Sequence, residues 1–214
     1  MQRTIAIAAA AVALAVIAIT PAAASPQFLP GLTGTKFTGK SGKFLFQQGP
    51  KGAVFTCPEM VISEGKGKIA KKGEPFEELF IMDVGPCVFF GRGMSTEGDA
   101  PGTVLIHVEG KLCYINKATE EIGLIFEFLP VHMEWAGIPL EMQGSFVARI
   151  EPFNFKAKKF TLHIEQKEGT QSITKCEGEA AREVLTTIGT KMVKTGFELK
   201  EPTITFGEEQ TLME

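Results

Sequence analysis

The 214-residue chain is poor in the side chains that most often do chemistry. It has three histidines, one tryptophan and one tyrosine, and of its 25 acidic residues only Asp83 and Asp99 are aspartates. Calcium loops draw on Asp and Asn with Gly, and the asparagines here are only Asn116 and Asn154, so such a loop is disfavoured. Two glutamates in a cleft would suffice for glycoside hydrolysis, but a single Trp135 and a single Tyr114 leave little for stacking on sugars. No Walker-type phosphate loop is present, nor a GxGxxG turn opening a helix. A serine nucleophile needs a strained elbow and a histidine partner. "QGSFV" around Ser145 lacks the second glycine, and "GMSTEG" around Ser95 has the wrong spacing. Basic excess is missing too: 22 Lys and Arg against 25 acidic residues give a net charge of −3, which argues against a nucleic-acid partner. No cofactor is implied.

The N-terminus carries the clearest positive signal. Arg3 precedes an uncharged Ala/Val/Ile-rich stretch, Ile5 to Ile19, and "TPAAASPQ" places Ala22 and Ala24 at the spacing of a small-residue cleavage site. An uncleaved anchor is the competing reading. Pro21 and the small-residue exit favour a signal peptide, residues 1–24, cut before Ser25. A linker over 25–34, a β-domain over 35–206 and an acidic frayed tail over 207–214 are expected to follow. Removing residues 1–24, which hold Arg3 and no acid, leaves 21 basic against 25 acidic residues, a net charge of −4. No second apolar span occurs, so the mature chain is expected outside the cell or at its surface, without stable membrane insertion.

Four cysteines in an exported chain predict two disulfides, with three possible connectivities. None has CxxC spacing. Cys57–Cys87 and Cys113–Cys176 are the expected pairs, each contributing roughly 3–4.5 kcal/mol on chain-entropy grounds. That is a stabilising role, and it leaves no thiol for nucleophilic chemistry.

Most of the remaining sequence repeats with period two. "KFLFQ" puts Phe44 and Phe46 on one face, and "AVFTC" does the same for Ala53, Phe55 and Cys57. "EIGLIFEF" sets Ile122, Leu124, Phe126 and Phe128 against Glu121 and Glu127. "IPLEMQGSFVARI" sets Leu140, Met142, Phe146, Ala148 and Ile150 inward, with Glu141, Gln143, Ser145 and Arg149 outward. "KEGT" reads as a turn. Only "CEGEAAREVLTTIG" mixes helix-favouring and strand-favouring residues. The pattern predicts a single antiparallel all-β domain of about ten to twelve short strands, a barrel or a sandwich, with largely up-and-down order. The glycine-rich stretch from Gly85 to Gly102 reads as a long loop, tacked down by Cys87 and packed by Phe89 and Phe90. Arg92 is its one candidate for holding an anion.

At "FTGKSGK" (37–43), "YINKATEEIGL" (114–124) and "KKFTLHIEQKEGTQ" (158–171) the chain resembles a group of exported all-β proteins of soil actinobacteria with no known activity. The resemblance runs along most of the mature chain and rests on turns and strands. It implies export and an all-β fold. Cys57 and Cys87 match positions where such proteins carry cysteines, whereas Cys113 and Cys176 are less typical, which fits their pairing with each other.

Each histidine is followed two residues later by a glutamate: His107 and Glu109, His132 and Glu134, His163 and Glu165. Residues i and i+2 of a strand share a face. If the three strands were neighbours, these pairs could bind zinc or another transition metal or serve a carboxylate-based extracellular enzyme. The competing reading is three solvent-facing rungs, because the opposite faces hold Val104, Ile106 and Val108; Val131, Met133 and Trp135; Phe160, Leu162 and Ile164. The expected function is accordingly a non-enzymatic exported β-domain of unknown role, which binds a partner or a cell-surface component or is structural. Alternatively, seventeen phenylalanines could line a cavity for a small apolar ligand.

Overall fold

The structure is a computed structural model and describes residues 27–29, 33–68, 77–153, 156–176 and 179–213. The signal peptide expected over 1–24 lies outside the described residues, as do 25–26 and 30–32 of the expected linker. In chain order the strands are β1 (Gln27–Leu29), β2 (Thr33–Ser41), β3 (Phe44–Gln47), β4 (Val54–Cys57), β5 (Glu59–Lys68), β6 (Glu77–Gly85), β7 (Val88–Phe89) and β8 (Arg92–Thr96). There follow β9 (Val104–Asn116), the 3-10 turn η1 (Lys117–Thr119), β10 (Glu121–Trp135), β11 (Ile138–Glu151), β12 (Lys156–His163), β13 (Gln166–Lys167) and β14 (Thr170–Gln171). The last are β15 (Lys175–Cys176), β16 (Glu179–Ala180), β17 (Leu185–Ile188), β18 (Lys191–Lys194), β19 (Gly196–Leu199) and β20 (Thr203–Met213). The all-β expectation holds, and the described residues of "CEGEAAREVLTTIG" are strand and irregular backbone.

Eight of these strands pair antiparallel in the order β2-β5-β6-β9-β10-β11-β12-β20, and β20 pairs back to β2. The result is a closed barrel, not a sandwich, and closure removes the free edges that an open sheet presents. The staves are longer than expected: β9, β10 and β11 run through 13, 15 and 14 residues, with a register shift in β10 between Phe128 and Val131. Residues 207–213, expected as a frayed tail, instead continue β20 and pair with β12 and β1.

Inward positions carry the apolar set at period two: Val104, Ile106, Val108 and Leu112 on β9, and Ile122, Leu124, Phe126 and Phe128 on β10, all buried. Leu140, Met142, Phe146, Ala148 and Ile150 on β11 are buried as the alternation requires. Tight two-residue hairpins use residue pairs with positive φ, the geometry that matches strand twist. Phe90 and Gly91, Ala136 and Gly137, and Glu168 and Gly169 each supply such a pair. Gly169 has a second reason: a Cβ there would lie 2.3 Å from the Gly49 nitrogen.

The connections divide sharply between the two ends of the barrel. One end carries η1, between β9 and β10. From the other end leave three excursions, residues 42–58, 86–103 and 164–202. Their strands β19, β3, β4, β7 and β8 form a second sheet that joins the barrel at β10. This sheet caps the barrel, and aromatic rings weld the two together. Phe197 lies 5.3 Å from Phe128 and 5.5 Å from Phe146 on the staves, and 5.5 Å from Phe44 and 5.8 Å from Phe46 in the cap. Trp135 donates its indole N–H to the Phe89 carbonyl at 3.2 Å.

The cysteines pair as Cys57–Cys87 and Cys113–Cys176. The first joins two of the excursions. The second staples the third excursion onto the outer wall, where Cys113, Ile125, Val147 and Cys176 form a separate apolar cluster. Ser145, expected to face solvent, is buried under this segment, where its hydroxyl accepts from the Arg182 N–H at 2.7 Å. The two disulfides place the folded chain in an oxidising, non-cytosolic environment. No helix among the described residues is long and apolar enough to cross a membrane.

Candidate functional site: a groove where two staves part

The barrel wall opens between β9 and β10. β9 and β10 pair from Glu121↔Asn116 to Phe128↔Val108 and then separate. Leu129 and Pro130 follow, and the register of β10 on β11 shifts between Phe128 and Val131. Proline has no N–H to give to a ladder, so a strand that contains one is expected to bulge there. Beyond the bulge β10 takes a new partner, β8, with Met133↔Thr96 and Trp135↔Met94. Thr96 fastens this wedge to β9, since its hydroxyl accepts from the Leu105 N–H at 2.7 Å and its own N–H donates to the Thr103 carbonyl at 2.8 Å. The Glu97 N–H donates to the His132 carbonyl at 3.0 Å, which fixes Glu97 beside β10.

The gap left between β9 and β10 is a surface cavity of about 410 Å³ lined by Thr96, Glu97, Leu105, His107, Leu129, Pro130, Val131 and His132. A second cavity of about 220 Å³ shares Glu97 and His132 with it and adds Glu134 and Glu141. His132 and Glu141 face each other across β10 and β11. Among the described residues no lysine or arginine lines either cavity. None of Glu97, Glu134 and Glu141 has an ion-pair partner among the described residues. The floor is apolar and part of it is open to solvent, with Leu129 42% exposed.

The histidine–glutamate pairs therefore divide. His107 and His132, on neighbouring staves, line one groove. His163 lies two staves away from β10, opposite Arg149, with Nε2 3.4 Å from Glu151. It lines a different cavity together with Glu165. Glu109 is exposed on β9 opposite Glu127, outside the groove lining. Among the described residues no three His, Cys, Asp or Glu side chains come together as a group that could hold a metal ion.

The loop expected from Gly85 to Gly102 contains β7 and β8 and belongs to the cap. Phe89 packs as expected, 4.9 Å from Phe55. Phe90 does not pack into the core. It occupies the turn at φ 48° and is 84% exposed, with its ring 4.3 Å from that of Phe89. Arg92 is exposed opposite Phe89 and lies outside the two cavities at the stave gap.

Sequence reasoning singled out His107, His132 and Glu134 but missed Glu97, Leu105, Leu129, Pro130 and Glu141. One signal was present: Pro130 interrupts an otherwise alternating "FEFLPVHMEW", which marks a bulge in advance. Compared with known proteins, the chain matches no family model, no curated protein and no solved structure.

Proposed function

We propose that the chain is an exported, non-enzymatic binding protein that uses the outside of a filled barrel. The observation that carries this reading is the contrast between interior and wall. The interior is occupied by its own side chains: Phe126 stacks on Phe146 at 4.8 Å, and Phe206 meets Phe37 at 5.9 Å and Phe160 at 5.7 Å. A small apolar ligand would have to displace them, so the carrier reading loses support. The wall, by contrast, opens in a groove of about 410 Å³ with exposed apolar floor. The barrel surface bears charge outside and apolar residues inside, the inverse of a barrel built to sit in lipid. Export is supported by the leader pattern and by the two disulfides.

The test is a photo-crosslinking side chain placed at Leu129, compared with one at Thr119, which is exposed in η1 at the opposite end of the barrel. In the cells that export the protein, a discrete adduct is expected from position 129 and none from 119. Equal or absent labelling at the two positions would remove this reading. Native mass spectrometry of the secreted protein checks export separately, with residues 25–214 and two disulfides as the expected mass.

A further inference from the structure

We infer that the occupant of the groove is a basic, extended polypeptide segment that presents an apolar side chain next to a lysine or arginine. This rests on the groove being a binding site, as proposed above, and adds the chemistry of what fills it.

Three observations point the same way. First, the groove has two compartments of different character joined at Glu97 and His132. The larger compartment has an apolar floor of Leu105, Leu129, Pro130 and Val131, wide enough for an aliphatic side chain. The smaller is ringed by Glu97, Glu134 and Glu141. Secondly, the charge is one-sided: no cation lines either compartment, and the three carboxylates lack ion-pair partners among the described residues. The other two described cavities differ, since Arg182 and Lys194 line one and Lys43 and Lys200 the other. Unpaired carboxylates beside an apolar floor favour an occupant with positive charge and disfavour an anionic one.

Thirdly, the apolar surface does not stop at the groove. On the adjoining wall Val61 lies opposite Asp83, and Asp83 lies opposite Leu105, which lines the groove. Ile81 stands one step further along, opposite His107, diagonal to both Val61 and Leu105. Val61, Ile81 and Leu129 are all among the exposed large hydrophobics. Asp83 interrupts this stripe with another carboxylate. The footprint crosses β5, β6, β9 and β10, and neighbouring strands lie about 4.8 Å apart. An extended segment of several residues spans that distance, with alternate side chains reaching the floor.

The probe is a fluorescein-labelled, end-capped peptide of alternating leucine and lysine, six residues long. Its counterpart has glutamate in place of lysine. Fluorescence anisotropy is read with the exported, disulfide-bonded protein. The leucine–lysine peptide is expected to bind with an affinity that falls as salt is raised, and the leucine–glutamate peptide is expected not to bind. Glu97→Gln, Glu134→Gln and Glu141→Gln each weaken binding by roughly two- to fivefold, as for exposed ion pairs. Leu129→Asp is expected to abolish it. All four positions are on the surface, and circular dichroism confirms that the variants fold.

Failure to bind the leucine–lysine peptide, equal binding of the two peptides, or unchanged affinity in the triple Glu→Gln variant overturns the inference. So does displacement of the peptide by octylamine at the same molar concentration, which would assign the groove to small amines. A dimer in sedimentation that Leu129→Asp dissociates would assign it to a second copy. If the crosslinker at Leu129 still captures a partner in cells whose capture is unaffected by Glu97→Gln, Glu134→Gln and Glu141→Gln together, the binding-site reading stands and only its basic-peptide chemistry fails.

Discussion

Two threonines illustrate how individual residues are satisfied in this fold. Thr186 on β17 and Thr195 after β18 are both buried, and their hydroxyls share a hydrogen bond of 2.8 Å. Thr195 also reaches the Val193 carbonyl at 3.5 Å, whereas among the described residues the Thr186 hydroxyl bonds Thr195 alone. A buried hydroxyl without a partner costs its full desolvation, about 1–3 kcal/mol. Thr195→Val therefore destabilises by about 1–3 kcal/mol, because it strands Thr186. The Thr186→Val/Thr195→Val pair is expected to be closer to the native protein than Thr195→Val alone, with urea unfolding as the measure. An equal or larger loss in the double variant would show that the hydroxyls do not depend on each other.

Among elements, the third excursion is held both by pairing, β17 on β11 from Leu140↔Ile188 to Gln143↔Leu185, and by a disulfide staple on the wall. Residues 164–202 reach back over the outer wall, where Cys176 bonds Cys113 on β9 and Ile173 and Ala181 pack beside Ile125 and Val147. The disulfide closes a loop with a sequence separation of 63 and so contributes about 4.3 kcal/mol on chain-entropy grounds. The Cys57–Cys87 bond, with a separation of 30, contributes about 3.6 kcal/mol. Lys175 and Arg182 flank the staple and are exposed. In a Cys113→Ser/Cys176→Ser variant, trypsin is expected to cut after Lys175 and Arg182 several times faster. In Cys57→Ser/Cys87→Ser these two sites are expected to keep more of their protection. Equal protection in both variants would mean that the Ser145–Arg182 hydrogen bonds and the wall cluster hold the segment without the staple.

At the scale of the whole molecule, cap and barrel share one core. Phe197 touches rings from both, and it is 1% exposed. Truncating a buried Phe to Ala typically costs about 3–5 kcal/mol, so Phe197→Ala is expected to lower unfolding stability by that amount. Trp135 sits at the cap–barrel junction, 5.1 Å from Phe89, and reports on that interface by fluorescence. In the native protein the fluorescence and far-ultraviolet dichroism transitions in urea should coincide, as a single cooperative unit requires. Separate midpoints would make the cap an independently melting layer.

Much of this was legible in the chain because alternation is a local property. Phe44 and Phe46, or Leu140, Met142 and Phe146, announce their buried face within five to seven residues, and the all-β class follows from their repetition. Turn chemistry is local too, so "KEGT" delivers the hairpin between β13 and β14. The candidate groove was half legible. His107 and His132 stood out as outward residues, and Pro130 marked the break, but their convergence with Glu97 depends on β8 entering between two staves.

By itself, then, the sequence determined the strand class, the inward faces and the turn positions, each set by neighbours a few residues apart. The tertiary structure alone decided that the sheet closes, that all three excursions leave from one end, and that His163 stands away from the other two histidines. Those outcomes rest on pairings between distant residues, such as Lys40 with Thr203, 163 positions later. Period two says which face of a strand is buried, and it carries no information about which strand lies beside it.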